Sequence, residues 1–78
     1  MRSNNVKNCI RKLRFHADEM TQQQLADTVG VTRQTIIAME ANKYAPSLPL
    51  AFRIARAFNL SIEEVFTYDE ESEIPQDS

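Results

Sequence analysis

Arg33 and Gln34 stand side by side at the start of a short helical pattern and are followed by Ile37 and Ala38. An arginine carries a planar fork that can bind guanine O6 and N7 together, and a glutamine amide can do the same to adenine N6 and N7. A small apolar group beside them can touch the thymine methyl. At about 100° per residue these four, with Ala41, share one helix face, whereas Ile36 and Met39, with Thr35 beside them, fall on the other. The second face is the expected core; the first has the chemistry of a reader of base edges. Arginine and glutamine also suit any exposed helix start, so residue types and spacing leave both readings open. No other chemistry competes. The chain has no Ser, His and Asp grouping on convergent elements and no Gly-rich phosphate loop, so catalysis is not expected. His16 is the only histidine and has no cysteine cluster near it, so neither a metal nor a cofactor is expected.

Two short helices joined by a turn must position those residues. Thr21 and Gln24 form a Thr-x-x-Gln capping box with Met20 and Leu25 as its hydrophobic staple, which starts a helix at about Gln22. That helix runs to about Thr28, packs through Leu25, Ala26 and Val29, and stops at Gly30, the single glycine of the chain. Thr32 then caps the second helix, with Val31 and Ile36 in the same staple relation. Asn42 follows as the next-best residue after glycine for a left-handed exit.

The flanking segments read as helices too. Val6, Ile10 and Leu13 recur at helical spacing and predict a first helix over about 6–15, capped by Ser3 or Asn5, with Lys7, Arg11 and Lys12 exposed. Ser47 is an N-cap and Pro49 fits the first turn of a fourth helix. Its apolar face is Leu50, Ala51, Ile54, Ala55 and Phe58, its outward cations are Arg53 and Arg56, and Asn59 ends it. Ser61 and Glu64 make another capping box, with Leu60 and Val65 as staple, for a short fifth helix ending near Phe66. Val65 to Tyr68 is β-branched and aromatic enough for a short strand or an apolar pad, and disorder is expected from Asp69 onward. The expected class is all-α with five helices in one domain, residues 1–66, followed by an acidic tail, residues 67–78.

Seventy-eight residues bury only about 60–65% of their unfolded surface, so stability should be marginal or completed by a partner chain. The net charge of −2 argues against a nucleic-acid binder, but the charge is unevenly placed. Residues 1–60 hold all nine Lys and Arg against Asp18, Glu19, Asp27 and Glu40, a balance of +5, whereas residues 61–78 hold seven acids and no base, a balance of −7. A basic body able to neutralise phosphates carries an acidic tail. A lone Cys9 and the lack of a signal peptide or a long apolar run lead us to expect a cytoplasmic protein that does not span a membrane. Cys9, beside Ile10, reads as a half-buried small hydrophobe.

The run TQQQLADTVGVTRQTIIAMEANKYAPSLPLAFRIARAFNLSIEEVF, within a match of about residues 6–66, resembles the helix-turn-helix domain of the phage Cro and repressor family, also called the Xre family. It is most similar to the short, single-domain bacterial members. The resemblance implies the five-helix lambda-repressor-like fold, with the helix-turn-helix over residues 21–42. It implies that Arg14 pairs with Glu40 to clamp the first helix to the third, and that Gln22, with Gln23, touches the DNA backbone and buttresses the recognition helix. The recognition helix itself would bring Thr32, Arg33, Gln34, Ile37 and Ala38 to the major groove. The loop of Asn42, Lys43 and Tyr44 would grip phosphate through backbone N–H groups, the lysine and the tyrosine hydroxyl. The connection FHADE departs from the family, which has a glycine before the residue matching Met20; here the loop is one residue longer, with Asp18 and Glu19.

The same resemblance implies a homodimer joined through the last helix and the segment after it, with Leu60, Ile62, Phe66 and Tyr68 contributing, unless Phe66 and Tyr68 merely cap the protomer's own core. The expected function is sequence-specific binding of double-stranded DNA, at a palindromic operator, by a transcriptional regulator of repressor type with no small-molecule ligand. An antitoxin-like or adaptor role, with the acidic tail binding a protein, is the alternative. RNA binding is a third, but the chain has no aromatic stacking platform of the kind single strands need.

Overall fold

The computed structural model describes residues 6–68. They form β1 (Val6–Asn8), α1 (Ile10–His16), α2 (Gln22–Val29), α3 (Arg33–Glu40), α4 (Leu48–Ala57), α5 (Ile62–Val65) and β2 (Phe66–Tyr68). Every helix contributes to one core, because Ile10, Leu25, Ile36, Met39, Ile54 and Val65 are fully buried and between them come from α1 to α5. The three staple pairs, Met20 and Leu25, Val31 and Ile36, Leu60 and Val65, all belong to this cluster. The entries of α2, α3 and α5 are thus tied to the interior by the residue before the cap.

The caps explain where the helices begin. Thr21 Oγ1 accepts the Gln24 N–H at 3.0 Å while the Gln24 side chain accepts the Thr21 N–H at 2.8 Å, a complete capping box. Thr32 accepts from the Thr35 N–H and Ser47 from the Leu50 N–H. At α5 the Glu64 carboxylate accepts the Ser61 N–H at 2.8 Å. The exits are equally local. Gly30 takes φ 79° after α2. Asn42 and Asn59 both take φ 60°, and each returns its own N–H and that of the next residue to the last turn of the helix before it. These are Schellman exits, built on asparagine, which tolerates the left-handed region better than most residues.

The start of the chain is the main correction. Helix α1 begins at Ile10 rather than Val6, and residues 6–8 instead pair antiparallel with β2 in the register Val6 with Tyr68, Lys7 with Thr67 and Asn8 with Phe66. The partner strand lies about sixty residues away, out of reach of any local period, and Val6 satisfies a strand entering the core as well as it would a helix. Capping passes from Ser3 and Asn5, which fall outside the described residues, to the segment just before Ile10. Cys9 occupies the N-cap position and the Asn8 side-chain oxygen accepts the Ile10 N–H at 3.1 Å. The segment after α5 is a strand, not a loose pad. The expected disorder from Asp69 also lies outside the described residues.

Between α1 and α2, Ala17 and Met20 both donate their N–H to the Arg14 carbonyl, which forces a tight loop. Asp18 and Glu19 take φ 63° and 56° in succession, with no glycine to relieve them. Two consecutive left-handed residues are how the longer connection closes.

Candidate nucleic-acid interface

The loop and three helices meet at one polar lock. Arg14 from α1 donates through Nε to Glu40 Oε2 at 2.7 Å and through Nη2 to Glu40 Oε1 at 3.0 Å. Its remaining Nη1 donates to the Met20 carbonyl at 2.9 Å, and the Gln22 amide adds a 3.1 Å bond to Glu40 Oε1. The arginine and glutamate side chains retain 14% and 10% of their exposure. One bidentate ion pair therefore fixes α1, the loop before α2, the first turn of α2 and the last turn of α3. Such a fork has geometric specificity that a lysine could not supply.

Held this way, α3 turns Ile36 and Met39 into the core at 0% exposure and leaves Arg33 and Gln34 exposed in its first turn. Ile37 and Ala38 are half-buried on the flank and Ala41 is exposed. Thr32 is exposed, and its hydroxyl also lies 3.1 Å from that of Thr35. A concavity of about 690 Å³ opens beside this face, lined by Arg11, Gln22, Gln23, Arg33 and the Arg14–Glu40 pair among others. Because that pair is internally neutral, Arg11 and Arg33 set the sign of the hollow and Glu19 opposes them. The first turn of α2 contributes to this lining, and the positive end of its helix dipole and the N–H groups of a helix start suit an anion.

Other positions differ in what they offer. Gln22 is half-buried and committed to Glu40, and the Gln23 amide donates to Asp27 at 2.9 Å. Lys43 and Tyr44 are exposed just beyond α3. The backbone N–H groups of Asn42 and Lys43 are turned back to Met39 and Ala38, so those two amides are occupied and the side chains are what this loop has to give. Asn42 itself is half-buried and serves the turn. Leu60 and Ile62 line a second concavity of about 480 Å³ with Phe52, Arg56 and Glu63. Phe66 lies in the protomer's own core at 8% exposure, and Tyr68 is exposed on the ribbon.

Three residues with a part here carried no distinctive local signal. Arg11 reaches the basic hollow, and its three-residue spacing from Arg14, which puts the two on one helix face, was the only clue. Arg53 donates through Nε to the Val29 carbonyl at 3.0 Å and so braces the end of α2 beside the turn. Asn8 donates to the Met39 carbonyl at 2.9 Å. Both bonds join residues more than twenty positions apart. Among the described residues no group of three or more His, Cys, Asp or Glu is placed to hold a metal, and no helix is long and apolar enough to cross a membrane.

This is the geometry of a helix-turn-helix protein: two short helices at a glycine turn, the second with an apolar inner face and a polar outer first turn. The helix-turn-helix family model matches residues 10–65, and the chain belongs to that family, in its Cro and repressor (Xre) branch. It is 45% identical over 67 residues to the uncharacterised HTH-type transcriptional regulator YgzD of Bacillus subtilis, covering 86% of this chain and 100% of that one. An uncharacterised HTH-type transcriptional regulator of Archaeoglobus fulgidus is 58% identical over 52 residues, or 67% of this chain and 73% of that one. Among solved structures the fold is similar to the restriction-modification controller protein C.AhdI of Aeromonas hydrophila, with TM-score 0.63 and 27% identity over 70% of this chain and 82% of that one. It is also similar to the P22 c2 repressor, solved in complex with a synthetic operator, with TM-score 0.64 and 24% identity over 69% and 80%. The class defined is that of DNA-binding transcriptional regulators.

Proposed function

We propose that the protein binds duplex DNA sequence-specifically as a homodimer and regulates transcription as a cytoplasmic repressor. The observation that carries this reading is the two-sidedness of α3: Ile36 and Met39 are fully buried along one face while Arg33 and Gln34 are exposed in its first turn. A helix so held presents its N-terminal residues to base edges when it enters a major groove. Arg33 and Gln34 then read bases, Ile37 and Ala38 supply apolar contact, and the exposed Thr32 contacts DNA beside them. Gln22 stays with Glu40 and buttresses α3. Gln23, Lys43 and Tyr44 contact phosphate, with Arg11 as a further cation beside the hollow, and Asn42 shapes the loop that delivers Lys43. Phosphate contacts fix register and strength; base contacts fix preference.

The dimer is supported by exposed apolar surface around the second concavity. Phe52 is 50% exposed beside Leu60 and Ile62, and Arg56 and Glu63 give the patch both signs of charge. A surface with both charges can face its own copy across a two-fold axis. Tyr68, 54% exposed on the ribbon that follows α5, adds a further apolar group to this end, while Phe66 serves the protomer's own core. Two copies would place their recognition helices in half-sites about one helical turn apart, and the operator would be palindromic. An adaptor role would use the same apolar patch for a different protein.

Sedimentation across a concentration series, followed by competition of a labelled duplex against RNA, separates these readings. We expect a dimer at tens of micromolar that yields its duplex to DNA and not to RNA. A monomer that binds no duplex would overturn the proposal and leave the adaptor role.

A further inference from the structure

The last turn of α3 is held from outside the helix-turn-helix by a residue of β1. Asn8 donates its side-chain amide to the Met39 carbonyl at 2.9 Å and accepts the Ile10 N–H on its side-chain oxygen at 3.1 Å. One half-buried side chain thus bridges the first turn of α1 and the last turn of α3. The same residue lies opposite Phe66 in the ribbon, and the next N–H, that of Cys9, donates to the Val65 carbonyl at 3.1 Å. β1 is therefore bonded along its backbone to the end of α5 and the start of β2, and through one side chain to the helix that carries Arg33. Apolar packing also holds these parts together, but it is non-directional and fixes closeness better than angle. A hydrogen bond is directional and fixes angle.

We infer that Asn8 is a positioning residue that sets the angle of α3 relative to the α5–β2 end, and so determines which half-site spacing the protein accepts. This rests on the dimer proposed above, in which the α5–β2 end meets its copy. Spacing is a demanding geometric variable, since one added base pair moves a half-site by about 3.4 Å and rotates it by about 35°. A dimer with loosely angled recognition helices accommodates that change; one with fixed helices does not. Asn8 acts through Met39 and does not touch DNA.

Two substitutions isolate the bond. Asn8→Ser keeps an oxygen near the Ile10 N–H but is too short to reach Met39. Asn8→Asp keeps the size and the acceptor and removes the donor. The full chain and both variants, compared first by thermal melting, are titrated with duplexes recovered from a randomised pool by the unaltered protein. The duplexes carry the recovered spacing, one base pair more, one fewer, or a single half-site. The unaltered protein should favour the recovered spacing, and in both variants that preference should fall by at least about fivefold, the lower end of coupling between sites. Affinity for the single half-site should stay unchanged. Variants that keep the full spacing preference, or that lose single-half-site affinity in proportion, would overturn the role of Asn8 while the dimer stands. Should the unaltered protein sediment as a monomer and bind all spacings alike, the dimer reading falls and this inference with it.

Discussion

The α2–α3 unit and the β1–β2 ribbon with α5 are built by different means. In α2–α3 every boundary is set within a few residues: Thr21 by Gln24, Gly30 by its own φ, Thr32 by Thr35, Asn42 by Met39 and Lys43 by Ala38. In the ribbon the governing bonds join Asn8 to Phe66, Cys9 to Val65 and Asn8 to Met39, across gaps of 31 residues or more. The reading head is made from local instructions. Its placement relative to the other end of the molecule depends on contacts that close only when the whole chain folds. Specificity for bases and specificity for spacing can then vary separately.

The sharpest way to break this contrast is to remove the ribbon's anchor. Phe66→Ala empties a core position 8% exposed and should cost about 3–5 kcal/mol, read from urea unfolding. Phe52→Ala, on an exposed phenylalanine, should leave the protomer's stability nearly intact and weaken only its self-association. Similar losses from both would mean that Phe66 is not a core residue in solution.

Next comes the lock under the reading head. Glu40→Ala strands the Arg14 guanidinium, 14% exposed, without its carboxylate, and should cost about 3 kcal/mol by the same assay. A loss below about 1 kcal/mol would place the pair among ordinary surface bridges.

The smallest effect concerns the loop. Glu19→Gly relieves a left-handed residue worth about 1–2 kcal/mol at an entropic cost of about 0.5–1 kcal/mol, so a net gain of roughly 0.5 kcal/mol is expected. The melting temperature should rise slightly, and DNA affinity should rise with it because an acid leaves the basic hollow. A fall in melting temperature would show that Glu19 has a favourable role in this loop.

These comparisons also explain what could be read from the chain. Thr21 with Gln24, Thr32, Gly30, Asn42, Ser47 and Asn59 act on neighbours, so the helices from α2 onward and the two faces of α3 were legible from caps and periodicity. The first strand was not, because Val6, Ile10 and Leu13 fit a helical period and nothing near them points to Tyr68 as a partner. Arg11, Arg53 and Asn8 owe their roles to packing between elements, which no local spacing encodes. The loop of Asn42 and Lys43 was legible as a turn, but the return of its two N–H groups into α3 emerges only from the bonds themselves.

Whether Arg33 reads a base is decided by binding of Arg33→Ala to a panel of duplexes, each altered at one position of the half-site. We predict a loss of discrimination of about 1–3 kcal/mol confined to one position per half-site, while Lys43→Ala weakens all duplexes alike and lowers the salt slope by about one. An Arg33→Ala profile that keeps the unaltered protein's preference at every position would show that Arg33 does not read a base.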